Sequence, residues 1–144
     1  MRLFLDTSIL LAASGSATGA SREIFRLASV NGWVLVATPY VVEEVLRNLP
    51  ELSPLASGEW VRLRQDLVLM DDVLTLAWPA VFPVAKDRPV LFSALAWADA
   101  LITHDRGDFS TLLGSEFYGL AVLTPGAFLQ RERANGRLKP RSPP

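Results

Sequence analysis

Short apolar runs that stop at polar residues, separated by longer stretches with apolar spacing of three to four, constrain this chain more than any other feature. The runs are Arg2 to Leu5, Trp33 to Ala37, Val73 to Leu76, Ala100 to Thr103 and Ala121 to Leu123. Runs this short read as strands, because a helix needs more residues to bury a face. Helical character follows in Ile9 to Ala13. A second helix is capped at Ser21, carries Ile24, Phe25, Leu27 and Ala28 inward and ends near Asn31-Gly32; Gly15 to Gly19 is the loop before it. Thr38-Pro39 opens a third, with Val41, Val42, Val45, Leu46 and Leu49 on one side. Pro50 to Gly58 reads as a connection and Trp60 to Met70 as a helix. Asp87 to Ala98 is apolar nearly all round, so it belongs at the centre. Asp108 to Leu113 and Pro125 to Arg133 complete the set. This alternation predicts an α/β sandwich on a mostly parallel sheet.

Composition narrows the function classes. The chain has 144 residues, half of them apolar, enough for one domain with a sizeable core. With no cysteine and a single histidine, His104, it offers no disulfide, thiolate zinc site or paired imidazoles. His104 is expected to be structural. The 14 basic and 15 acidic residues nearly cancel, which argues against nucleic-acid binding by bulk charge. Residues 131 to 144 carry five basic side chains (Arg131, Arg133, Arg137, Lys139 and Arg141) against Glu132, leaving fourteen acids and nine basic groups in residues 1 to 130. The basic, proline-containing end reads as a flexible tail after a domain of residues 1–130, either a solvated extension or a phosphate-contacting arm. Asp6 interrupts a start that otherwise imitates a signal peptide. The charge-free stretch Val73 to Ala85 contains Pro79 and Pro83 and is shorter than the about 20 residues a bilayer requires. The expectation is a soluble, cytoplasmic protein with no membrane partner.

Functional residues in open α/β sheets gather at the carboxyl ends of strands. Asp6 ends the first run and Asp105 the fourth, so parallel neighbours would aim both carboxylates at one rim. Asp87 opens the central helix, Glu44 lies in the helix after the second strand, and Asp108 comes one turn after Asp105. Carboxylates converging without matching Lys or Arg raise one another's pKa unless a divalent cation compensates them, and all-oxygen ligands suit Mg²⁺ or Mn²⁺. Each acid has an ordinary role too. Asp6 and Asp87 stand where caps stand, and Asp105 and Asp108 flank the turn at Gly107. Helical periodicity does not separate Glu43 from Glu44.

These pieces carry a resemblance. The order and spacing of Leu5-Asp6-Thr7-Ser8-Ile9-Leu10, of Thr38-Pro39-Tyr40-Val41-Val42-Glu43-Glu44-Val45-Leu46, of Asp87-Arg88-Pro89-Val90-Leu91-Phe92-Ser93-Ala94 and of Asp99 through Phe109 are similar to those of PIN domains, the fold of VapC-like toxin ribonucleases and related nucleases, over about residues 1 to 130. The end, Ala121-Val122-Leu123-Thr124-Pro125 with Phe128, matches as well. Phe92 and Ser93 depart from the pattern, standing where smaller residues are usual.

The resemblance implies a three-layer α/β/α sandwich and Mg²⁺- or Mn²⁺-dependent hydrolysis of RNA phosphodiesters. It assigns the four acids to Asp6, Glu44, Asp87 and Asp105: Asp6 and Asp105 as principal metal ligands, Asp87 as a direct or water-mediated ligand, Glu44 as holder or base for the metal's water. Asp108 matches a further, outer acid, and Ser8 and Thr103 match polar positions that orient the acids; backbone capping is the plainer reading of both hydroxyls. The resemblance also implies an antitoxin partner, placing an Arg among the carboxylates if the chain is a toxin. Trp33, Trp60 or Trp78 are candidates for a homodimer surface and equally natural core anchors. The rival from another class is a catalytically silent PIN-like interaction subunit. An aspartyl phosphotransferase would want a second Asp two residues after Asp6, where Ser8 stands.

Overall fold

A computed structural model describes residues 1–74, 82, 85–105 and 107–142. Six strands form one sheet in the order β3-β2-β1-β4-β6-β5: β1 Arg2–Leu5, β2 Val34–Ala37, β3 Leu67–Leu69, β4 Ala100–Ile102, β5 Ser115–Phe117 and β6 Leu120–Leu123. Every pairing is parallel except β5 with β6. Six helices surround the sheet in a three-layer α/β/α arrangement: α1 Thr7–Gly15, α2 Ala20–Asn31, α3 Pro39–Asn48, α4 Pro54–Arg64, α5 Arg88–Trp97 and α6 Pro125–Ala134. β1 and β4 have no exposed residue beyond Arg2, as expected of central parallel strands covered on both faces. Strand order reverses between β1 and β4, with β2 and β3 on one side and β6 and β5 on the other, so a crevice opens beyond the carboxyl ends of those two strands.

Local chemistry explains most boundaries. The Asp6 side chain caps α1, accepting from the Ile9 amide at 3.2 Å, and Thr124 caps α6 through the Ala127 amide. α2 ends at Gly32 with φ of 67°, a left-handed conformation open to glycine. Its cap is Gly19, and Ser21 instead lies inside the helix, where its hydroxyl meets His104 Nε2 at 2.8 Å. Thr38 precedes α3 as expected, yet its buried hydroxyl makes no capping bond. Leu46, expected inward, is 53% exposed.

The largest difference from the sequence expectation lies between residues 50 and 70. α4 starts at Pro54 behind Ser53, inside what reads as a connection, and stops at Arg64, leaving Leu67–Leu69 as an edge strand rather than the end of a helix. Val73 and Leu74 belong to no strand, and residues 75 and 76 fall outside the described residues, as do Trp78, Pro79 and Pro83. Residues 108–113 form consecutive turns instead of a helix, and β5 folds back on β6 through Tyr118 and Gly119, both at positive φ. Trp33 and Trp60 are core residues, 9% and 3% exposed, which removes them as a dimer surface. Phe92 and Ser93 are also interior, and the Ser93 hydroxyl accepts from the Val73 amide at 2.8 Å.

The basic end folds back in its first half. Glu132, 1% exposed, takes Arg137 on both oxygens at 2.6 and 3.1 Å, and the Asn31 amide pairs with the backbone of Lys139 at 2.7 and 2.9 Å. No helix among the described residues is long and apolar enough to cross a membrane.

Candidate metal centre

The crevice beyond β1 and β4 holds a cavity of about 250 Å³, whose lining includes Asp6, Glu44, Asp87 and Asp105. Asp6 arrives there because it directly follows β1. Its carboxylate is 6% exposed and held on both oxygens: Ser8 Oγ donates to Oδ1 at 2.5 Å and Thr103 Oγ1 donates to Oδ2. The two hydroxyls therefore orient an acid. They also meet backbone, Ser8 Oγ accepting from the His104 amide at 3.0 Å and Thr103 Oγ1 from the Asp105 amide at 2.9 Å. Burial pushes the Asp6 carboxyl up to about 6 against the pull of these hydrogen bonds, and the charge of Asp105 adds to the rise.

Asp105 follows β4 and organises its own loop, accepting on Oδ1 from the amides of Gly107 (2.9 Å) and Asp108 (3.0 Å). The turn role and the site role thus coexist on one side chain. That loop carries Asp108 inward. Asp87, Asp105 and Asp108 each offer one carboxylate oxygen within 4.8 Å of the other two, and all three are half-buried. Asp108, expected as an outer acid, completes this trio. Asp6 and Glu44 line the cavity beside it but are not part of the trio.

Asp87 stands at the cap position of α5 but makes no capping bond, and no donor reaches its buried Oδ2. Burial, then a hydrogen bond to Asp108 and the charge of Asp108, raise Asp87 to about 7, while Asp108 is held below the usual carboxylate range by its bonds to Asp87 and Lys86. Two carboxyl groups this close are relieved by a proton shared between them or by a cation. An all-oxygen donor set of this kind fits a hard divalent ion.

Glu44 and Glu43 are separated by the fold. Glu43 is exposed, whereas Glu44 lines the cavity and accepts from Thr7 Oγ1 at 2.6 Å. Thr7 has no counterpart in the sequence expectation, although its place directly after Asp6 was a signal. The other addition is Lys86, whose Nζ lies 3.0 Å from Asp108 Oδ2, so among the described residues the acids do have a matching cation of the chain's own. Tyr40 ties this region together: its hydroxyl donates to the Lys86 carbonyl at 3.0 Å and its amide to Asp72 Oδ2 at 3.0 Å. His104 bonds Ser21 and lies beside the cavity rather than in it.

The arrangement is capable of chelating a divalent cation. Compared with protein-family models and with curated proteins, the sequence matches none.

Proposed function

We propose that this chain is a PIN-type endoribonuclease, hydrolysing RNA phosphodiesters with Mg²⁺ or Mn²⁺. The supporting observation is the meeting of Asp87, Asp105 and Asp108 within 4.8 Å at the strand switch point, where Asp87 and Asp105 line one cavity with Asp6 and Glu44. Asp87, Asp105 and Asp108 would hold the metal, with Asp6 beside them, and the metal would supply charge neutralisation for the phosphodiester and a more acidic water. Glu44, which accepts from Thr7, would orient a water and take its proton as the new P–O bond forms; the bond to the departing ribose oxygen would break, and that oxygen would take a proton from solvent. Ser8 and Thr103 keep Asp6 in one rotamer, so no reorientation is needed when the ester arrives.

The PIN resemblance extends the proposal to a cytoplasmic toxin whose antitoxin seats a cation among the carboxylates. Lys86 on Asp108 favours a second reading, a catalytically silent interaction subunit, because an ammonium already serves one acid. A Mn²⁺ titration of the purified chain with a labelled single-stranded RNA separates them. The proposal expects metal-dependent cleavage that Asp105→Asn abolishes. Metal binding without cleavage supports the silent subunit, and cleavage that survives both chelation and Asp105→Asn overturns the site.

A further inference from the structure

Two further cavities lie outside the acid cavity and share no lining residue with it. Leu11 lines the acid cavity, and Ser14, one turn later, lines a cavity of about 500 Å³ between α1 and α4. Arg22 and Arg62 line that cavity and also a third, of about 380 Å³ between α2 and α4, which adds Arg26 and Arg141. Four arginines therefore border two cavities that adjoin at Arg22 and Arg62, and Glu59 and Asp66 line them as well. Arg22 and Arg62 share Glu59, at 2.8 and 3.1 Å, and Arg26 pairs with Glu23 at 2.8 Å. Arg22 also gives Nε and Nη2 to the Ala13 carbonyl, at 2.8 and 2.6 Å, whereas the exposed Arg26 and Arg62 guanidiniums keep donors beyond the carboxylate each serves. Arg141 is delivered by the Asn31 clamp on Lys139, two residues before it.

We infer that this arginine cleft is a track for the phosphate backbone of single-stranded RNA whose scissile bond sits in the acid cavity. The inference rests on the ribonuclease reading above. Thr7–Gly15 covers about 12 Å along the α1 axis, a span that a strand of a few nucleotides bridges. Guanidinium forks match phosphate geometry, and the acids at one end leave the strand no other footing than the metal. The cleft gives the folded tail a purpose: it adds a fourth arginine to a row set by α2 and α4.

The test uses a labelled twelve-nucleotide poly(U) strand and a dinucleotide substrate with the full-length chain. Arg26→Gln with Arg141→Gln, both at exposed side chains, should weaken poly(U) binding in Ca²⁺ and lower its salt slope by about 1.4. Arg26→Lys with Arg141→Lys should restore most of that slope, and Mn²⁺-dependent cleavage of the dinucleotide should be the same in all three proteins. Identical salt slopes in the wild type and the Gln variant overturn the track while leaving the nuclease reading intact. Polyglutamate that displaces poly(U) at equal charge overturns it in favour of a protein-docking cleft. Loss of dinucleotide cleavage in the wild type strikes the nuclease reading itself.

Discussion

Thr103 faces Asp6 across the β1–β4 ladder, one step beyond the Leu5 and Ile102 pair, and its hydroxyl donates to the Asp6 carboxylate. The acid and its orienting group are thus fixed by sheet register, the most rigid relationship this fold offers. A one-residue slip would turn Asp6 to the other face of the sheet and separate the two.

Thr103→Val tests that relationship. The methyl keeps the shape and leaves Asp6 Oδ2 buried without its donor, so unfolding in urea with chelator should become about 1–3 kcal/mol easier at pH 7.5. Mn²⁺ affinity, read by calorimetry, should fall as well.

Metal loading should raise Tm, because repulsion among the acids exists only in the folded chain. At about 100 times Kd the stabilisation is about 2.7 kcal/mol, or roughly 5–10 °C for a chain this size. Asp87→Asn with Asp105→Asn should abolish the shift, and an undiminished shift in that variant would remove the metal from this cavity.

Glu44→Gln should lower kcat by about 100-fold or more, the scale of a lost general base, while Glu43→Gln leaves it near the wild-type value. Single-turnover cleavage of one RNA by both variants decides the point. Sequence periodicity could not, since both residues sit equally far from the apolar centre of α3; the fold chooses through Thr7, which reaches only Glu44.

The raised pKa of Asp6 has a definite sign in stability. A carboxyl that ionises near 3.8 unfolded and near 6 folded binds its proton more tightly when folded, so its contribution is fullest below about pH 4 and is lost as pH rises through 6. Relative to Asp6→Asn, the wild type in chelator should lose about 2 kcal/mol between pH 4 and 7. Saturating Mn²⁺ should flatten the difference.

The acids were legible in the sequence because Asp6 and Asp105 directly end apolar runs, and the parallel sheet followed from the alternation of those runs with helices. β3 was hidden by continuity. Trp60, Leu63, Leu67 and Met70 keep a three-to-four spacing across the end of α4, so the period carries on where the helix does not. The Ser53-Pro54 start signal was present and points to the correct helix. β5, three residues with one buried side chain, is too short for any pattern to announce, although Tyr118-Gly119 marks its turn. The Lys86–Asp108 pair depends on how the turn before α5 is placed, which local composition does not encode.

Both borders of the sheet are three-residue strands, β3 and β5. Short borders present few free amides and carbonyls, so a neighbouring chain finds little backbone to add to. Solutions of this protein should therefore resist fibrillar, strand-templated aggregation even at high concentration, and any self-association should run through side-chain surfaces such as exposed Leu46, Leu55 and Val61.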